Sequence, residues 1–126
     1  MNTKYFLYVR KSTEEEDRQA MSIEAQLYEL REFAQREKLE IIAEITEARS
    51  AKTPGRDRFN EMIARIEAMD GAGILAWHPD RLARNSMDGG KIIYMVDTGK
   101  IISMKFPQFW FEPTIRHDGL SGEYLV

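Results

Sequence analysis

KYFLYV, residues 4–9, is a compact apolar run that contains three aromatic side chains. A short continuous run of this kind predicts a strand buried on both faces, as the strands of parallel sheets are. After a polar, acidic segment, Ser22 has the side chain of a helix N-cap, and Glu24 in the first turn favours the helix dipole. Apolar residues then recur at helical spacing, so the sequence predicts an amphipathic helix over residues 22–36.

The alternation of strand and helix signals continues along the chain. Further strands are predicted at residues 40–45, 73–77 and 101–104, and further helices have apolar faces within residues 59–66 and 92–96. Gly99 is placed to end the last helix. Strands that alternate with helices indicate an α/β fold, with helices covering both faces of a parallel sheet.

We therefore predict one three-layer α/β domain over residues 1–105, with a mainly parallel four-stranded sheet flanked by helices. Residues 78–85 are predicted to be a charged connection. The periodicity is lost from Phe106 onward, where FPQFWF is aromatic but irregular. Residues 106–126 are accordingly expected to form an irregular tail.

The composition is that of an ordinary globular domain, with 43% hydrophobic and 31% charged residues among 126. No apolar run approaches the roughly 20 residues of a membrane span. Residues 1–20 lack a signal-peptide pattern, and the chain has no cysteine, which excludes disulfides and thiolate metal sites. These features suit a cytoplasmic protein. The net charge of −3 argues against a broad basic surface for duplex DNA.

Polar residues follow each of the first three predicted strands, at the sheet edge where open α/β sheets bind ligands. Arg10 and Ser12 follow the first strand. Glu47, Arg49, Ser50, Lys52 and Arg56 follow the second strand, and Asp80, Arg81 and Arg84 follow the third. A hydroxyl group near several guanidinium groups suits phosphoryl transfer without a metal ion, because arginine forks match phosphate oxygens. A lone serine after a strand is nevertheless usually a turn or cap residue, so these residues alone also allow an α/β domain with an anion site.

Four short motifs occur in order and carry a family resemblance. Residues 8–12, YVRKS, resemble the Y-x-R-x-S signature of the serine recombinase (resolvase/invertase) family, and residues 22–26, SIEAQ, resemble its S-I-x-x-Q helix start. Residues 50–59, SAKTPGRDRF, and residues 80–85, DRLARN, are similar to its next two blocks. The resemblance covers about residues 4–105. The motif sequences are most like those of large serine recombinases, meaning phage integrases and transposon recombinases.

The resemblance implies the chemistry and the residues that carry it. Ser12 matches the nucleophile that attacks a DNA phosphodiester and forms a covalent 5′-phosphoserine bond, with no metal and no cofactor. The phosphate-binding and transition-state arginines of the family fall on Arg10, Arg56, Arg81 and Arg84. Its supporting positions fall on Tyr8, Gln26, Ser50 and Asp80, and Asp80 could also orient an arginine or move a proton. Glu47 lies where smaller relatives often have Asp.

The resemblance also implies partners: double-stranded DNA attachment sites, and a homo-oligomer, from dimer to tetramer, in the full-length form. Family members continue into a dimerisation helix and a DNA-binding domain, which residues 106–126 do not resemble. We therefore expect the isolated chain to have little or no recombination activity. An alternative is a truncated, catalytically silent fragment that acts as a protein-interaction module through the aromatic residues 106–111. A third interpretation is an anion-binding domain unrelated to DNA.

Overall fold

The computed structural model describes residues 3–11, 22–48, 55–107 and 109–111, and only the backbone at Asp80 and at residues 109–111. Within these residues the elements, in chain order, are β1 (Lys4–Arg10), α1 (Ile23–Glu37), β2 (Glu40–Glu47), α2 (Asp57–Glu67), β3 (Ala72–Ala76), α3 (Pro79–Leu82), α4 (Ser86–Asp97), β4 (Ile101–Phe106) and β5 (Phe109–Phe111).

The strands form one sheet in the order β2-β1-β3-β4-β5. The first four strands are parallel, and β5 pairs with β4 in the antiparallel sense. β1 lies between β2 and β3, so its side chains are covered on both faces, as its continuous apolar run predicts. The predicted α/β class with a mainly parallel sheet is confirmed.

Alternate residues of β1 enter two separate cores because successive side chains of a strand point to opposite faces. Phe6 and Tyr8 belong to a core with α2 and α4, which contribute side chains such as Ile66 and Met95. Tyr5, Leu7 and Val9 belong to a core on the other face, with Leu30, Phe33 and Ala34 of α1. The expected helices on both faces of the sheet are therefore present.

Two helix ends follow the sequence signals. The Ser22 hydroxyl accepts a hydrogen bond from the backbone N of Ala25 at 3.1 Å, which confirms the predicted N-cap of α1. Gly99 follows the end of α4 with φ of 81°, a left-handed conformation that favours glycine.

The structure differs from the prediction in the short elements. The connection expected at residues 78–85 contains α3, a single turn that begins at Pro79, where the fixed φ of proline favours a helix start. The expectation of an irregular tail is wrong for β5, which forms because the outer edge of β4 offers backbone partners to Phe109–Phe111. Three residues are too few to show a strand period.

β2 extends two residues beyond the predicted strand because Thr46 and Glu47 pair with Val9 and Arg10 at the end of β1. Ile93, assigned to an apolar helix face, is instead 62% exposed on α4. In the described part of the chain, no helix is long and apolar enough to cross a bilayer.

Candidate active site

The sheet topology places a crevice at the carboxyl ends of β1 and β3. The chain goes from β1 to β2 on one side, and then crosses to β3 on the other side of β1. Loops that leave β1 and β3 therefore diverge, and ligands of open α/β sheets bind at such a reversal of strand order. Arg10 ends β1 at this edge, and α3 follows β3 there.

Arg10 is fully buried and joins β1 to α3. Its Nε donates to the backbone carbonyl O of Arg81 at 3.2 Å. The Gln26 side chain holds the same residue from α1, because its Nε2 donates to the carbonyl O of Arg10 at 2.9 Å and its Oε1 accepts from the Arg10 backbone N at 3.4 Å. Three of the residues singled out in the sequence thus meet at one point of the sheet edge.

The remaining arginines of this edge differ in exposure. Arg81 is half-buried within α3, and Arg84 is exposed two residues beyond the end of that helix. Asp80 lies in α3, but its side chain is outside what the structure describes. Ser12 and Ser50 lie outside the described residues; Ser12 is next in sequence to Lys11, whose backbone N donates to the carbonyl O of Glu47 at 3.0 Å.

Arg56 points inward rather than into the crevice. Its side chain is 1% exposed, and its Nη2 forms an ion pair with Asp88 Oδ2 at 2.9 Å. Its Nη1 donates to the Tyr8 hydroxyl at 2.9 Å, and its guanidinium carbon lies 4.0 Å from the centre of the Phe59 ring. Every contact that the structure gives this guanidinium is therefore internal, although the resemblance implies a phosphate ligand.

Glu47 is a buried acceptor at the junction of β2 and α2. Its carboxylate accepts from the Tyr8 hydroxyl at 2.6 Å and from the backbone N of Arg58 and of Phe59, each at 3.0 Å. Arg56, the N-cap residue of α2, offers no side-chain cap. Glu47, at the end of β2, therefore supplies the hydrogen-bond acceptors that the first turn of α2 needs.

Tyr8 lies between these two charged groups and stays protonated. Burial raises the pKa of its phenol far above the ordinary value; Arg56 opposes the rise, and Glu47 adds to it. The phenol thus acts as a neutral hydrogen-bond donor to Glu47 and an acceptor from Arg56. It is not suited to attack phosphorus as a phenolate.

A hydrogen-bonded pair at the start of α4 was not among the residues singled out in the sequence. Asn85 caps α4, its Oδ1 accepting from the backbone N of Asp88 at 2.8 Å, and its Nδ2 donates back to Asp88 Oδ2 at 2.8 Å. The signal was available, since Asn is a preferred N-cap and an acidic residue in the first turn is typical of a helix start. Within residues 3–11, 22–48, 55–107 and 109–111, no three His, Cys, Asp or Glu side chains are grouped to hold a metal ion.

A family model of the resolvase N-terminal domain matches residues 5–105. The chain belongs to the resolvase family. No curated protein sequence matches this resolvase-family chain significantly.

Solved structures agree with the family assignment. The N-terminal catalytic domain of TP901-1 integrase superposes with a TM-score of 0.65 and 25% identity, covering 82% of this chain and 76% of that one. A resolvase family site-specific recombinase from Streptococcus pneumoniae gives 0.65 and 26%, covering 83% and 72%. The C-terminal catalytic domain of the IS607-like serine recombinase ISC1926 TnpA gives 0.64 and 16%, covering 83% and 70%, a likeness of fold alone. The chain therefore has the fold of a serine recombinase catalytic domain, and the resemblance found in the sequence is confirmed.

Proposed function

We propose that this resolvase-family domain cleaves and rejoins DNA in site-specific recombination, through a covalent 5′-phosphoserine intermediate on Ser12. The observation that carries the proposal is the bond from Arg10 to the carbonyl of Arg81, at the sheet edge where β1 leads toward Ser12. This bond holds the last residue of β1 against the turn that carries Arg81, and so supports a site in which arginines from β1 and α3 lie near the serine that follows β1.

The reaction is an exchange of phosphoesters. The Ser12 Oγ attacks the phosphorus, its proton is lost, and the 3′ oxygen of the DNA leaves and takes up a proton. The new phosphoserine bond conserves the energy of the original phosphodiester, so the reverse attack by a 3′ hydroxyl rejoins the strands without a cofactor. The exposed Arg84 and the half-buried Arg81 provide the positive charge that the transition state requires, and the fully buried Arg10 adds its charge from behind the turn that carries them.

The other residues support this site from outside the reacting atoms. Gln26 holds the backbone of Arg10 through two hydrogen bonds. Asp80 lies in the same turn as Arg81 and is proposed to orient an arginine or to move a proton. Ser50 and Arg56 are carried over from the family motifs, and the internal contacts of Arg56 favour a supporting role.

The proposed partner is the double-stranded DNA of an attachment site, bound by a homo-oligomer of the full-length protein in the cytoplasm. The chain carries 18 basic and 21 acidic residues, so most of the DNA-binding charge is expected to lie elsewhere in such an assembly. The active surface of this domain is then a local cluster of arginines rather than a broad basic face.

The test is a search for the covalent intermediate. The chain is fused to the DNA-binding region of a serine recombinase whose target site is known, and incubated with that target DNA. Protein is denatured, and peptides are analysed by mass spectrometry for a nucleotide attached through phosphate. We expect an adduct on Ser12 that is lost in Ser12→Ala and kept in the control Ser86→Ala, an exposed serine of α4.

Two results would contradict the proposal. One is an adduct that persists in Ser12→Ala or maps to another side chain. The other is the absence of any adduct from a folded fusion that binds its target DNA.

A further inference from the structure

Asp88 lies between the arginine-bearing turn after β3 and the interior of the domain. Asn85, the residue that follows Arg84, donates from Nδ2 to Asp88 Oδ2 at 2.8 Å. The same amide side chain accepts from the Asp88 backbone N. The position of the Asp88 carboxylate is therefore tied directly to the residue next to Arg84.

The same carboxylate oxygen also holds Arg56. The two side chains are 9% and 1% exposed, and the Arg56 Nη2 lies 2.9 Å from Asp88 Oδ2. A buried charge that loses its partner is left uncompensated, at a high cost in free energy. The Arg56 guanidinium is therefore held in its position beside Asp88. The face of Phe59 under the guanidinium gives a further constraint from α2.

Arg56 also connects Asp88 to β1 through a hydrogen bond. Its Nη1 donates to the Tyr8 hydroxyl at 2.9 Å. Tyr8 and Arg10 are two residues apart on one strand, so their side chains lie on the same face of the sheet. Arg10 in turn donates to the Arg81 carbonyl. These contacts, together with the chain segments 8–10 and 81–85 that connect them, form a closed ring.

We propose that Asp88 is a positioning residue that acts through Arg56 and Tyr8 to fix Arg10 against Arg81. Asp88 does not touch the DNA; it sets the spacing between the end of β1 and the turn that carries Arg81 and Arg84. The effect of Asp88 on catalysis rests on the proposed function. Its effect on the position of Arg10 does not, because the contacts involved lie within the chain.

The cap of α4 does not explain the ion pair. Asn85 already satisfies the backbone N of Asp88, and a carboxylate in the first turn is favoured by the helix dipole without any cation. The contact with Arg56 therefore adds a link between α4, α2 and β1 that the helix start does not need.

The first experiment measures hydrogen exchange of the Arg10 Nε–H by nuclear magnetic resonance in the chain of 126 residues. We expect Asp88→Asn, which keeps the shape of the side chain, to accelerate this exchange by about tenfold or more, because the ring opens more easily. Asn85→Ser keeps a good N-cap but removes the amide donor to Asp88, and is expected to give a smaller acceleration. Asp97→Asn, an exposed charge change at the other end of α4, is the matched control and is expected to give none.

A purely local role for Asp88 predicts a different result. The signals of Arg56 would then change in Asp88→Asn while the exchange of Arg10 Nε–H stayed within about twofold of the unsubstituted chain, and this would overturn the proposal. If Asp88→Asn does not fold, Asn85→Ser is measured in its place. Exchange of Arg10 Nε–H within about twofold of the unsubstituted chain would then overturn the proposal.

The second experiment uses the fusion protein and separates binding from chemistry. Asp88→Asn is expected to leave the Kd for target DNA within about twofold and to slow adduct formation at saturating DNA by about tenfold or more, because it disturbs orientation rather than contact. A Kd tightened by more than about tenfold would overturn the proposal, since it would mean that Asp88 withholds Arg56 from DNA phosphate. Absence of any adduct in the unsubstituted fusion would refute the proposed function, whereas the exchange of Arg10 would still decide on the ring.

Discussion

Replacing Glu47 with alanine removes the shared acceptor of three hydrogen bonds at the junction of β2, β1 and α2. The Tyr8 hydroxyl would lose its acceptor inside the core, and the backbone N of Arg58 and of Phe59 would lose theirs in the first turn of α2. Glu47 is 5% exposed, so water can replace these contacts only in part.

The magnitude follows from these losses. Removing a helix N-cap costs about 1 kcal/mol, within a range of roughly 0.5–2 kcal/mol. A hydrogen bond to a charged group contributes about 1.5–3 kcal/mol, and a buried donor left unpaired costs a similar amount. We therefore expect Glu47→Ala to lower the free energy of unfolding by about 3–5 kcal/mol, a large share of the roughly 5–15 kcal/mol of a typical domain.

The assay is equilibrium urea denaturation, which gives the free energy of unfolding from the midpoint and the slope. Glu47→Gln keeps Oε1, which accepts from Tyr8 and Phe59, and loses the acceptor for Arg58, so it is expected to cost about 1–2 kcal/mol. Glu44→Ala is the matched control on the same strand. Its carboxylate lies 2.7 Å from Arg31 Nη2 but is 34% exposed, so its loss is expected to cost about 0–1 kcal/mol.

The reasoning is refuted if Glu47→Ala costs no more than Glu44→Ala. That result would mean that neither the burial of Glu47 nor the three donors that it accepts from makes it more important for the free energy of unfolding than a surface ion pair.

Two further predictions concern packing and pH. A Cβ added to Gly73 would lie 2.4 Å from Cε2 of the buried Tyr5 ring, so Gly73→Ala is expected to lower the free energy of unfolding by about 1–3 kcal/mol. Gly90→Ala, in α4 with open space around its Cβ, is expected to raise the free energy by about 0.5–1 kcal/mol, and urea denaturation of both variants would contradict the reasoning if the signs agreed. The hydrogen bonds and charge of Arg31 hold the pKa of Glu44 below its ordinary value of 4.5 despite partial burial. The stability that the Glu44 charge contributes is therefore fully present well above the ordinary pKa and is lost as the pH falls through the lowered pKa of the folded chain. The difference in unfolding free energy between the unsubstituted chain and Glu44→Gln is expected to shrink as the pH falls from about 6 to about 3; a difference that stays constant would contradict this.

The main elements of the fold could be predicted because their signals are local. The run of β1 identifies a strand by itself, and the periodicity after Ser22 identifies α1 with its cap. The short elements could not be predicted in this way, since β5 exists only through its pairing with β4 and α3 is one turn long. The end of β2 was likewise decided by its pairing with β1 rather than by its own composition.

The candidate site was predicted in part. Arg10, Gln26 and Arg81 were singled out by motif, and the structure brings them into contact. The direction of Arg56 could not be read from its motif, because spacing along the chain does not tell whether a guanidinium at a helix start faces solvent or the interior. Its partner Asp88 is 32 residues away in sequence.

By itself, the sequence determined the α/β class, the N-cap of α1, the glycine that ends α4 and the family, because these depend on residue type and on periods of two to four residues. Only the tertiary structure decided which charges meet. Burial makes each cation and carboxylate require a partner, and the order of the strands determines which partner lies within reach; so Arg10 contacts the turn of Arg81, Arg56 is held by Asp88, and Glu47 caps a helix that it precedes by ten residues.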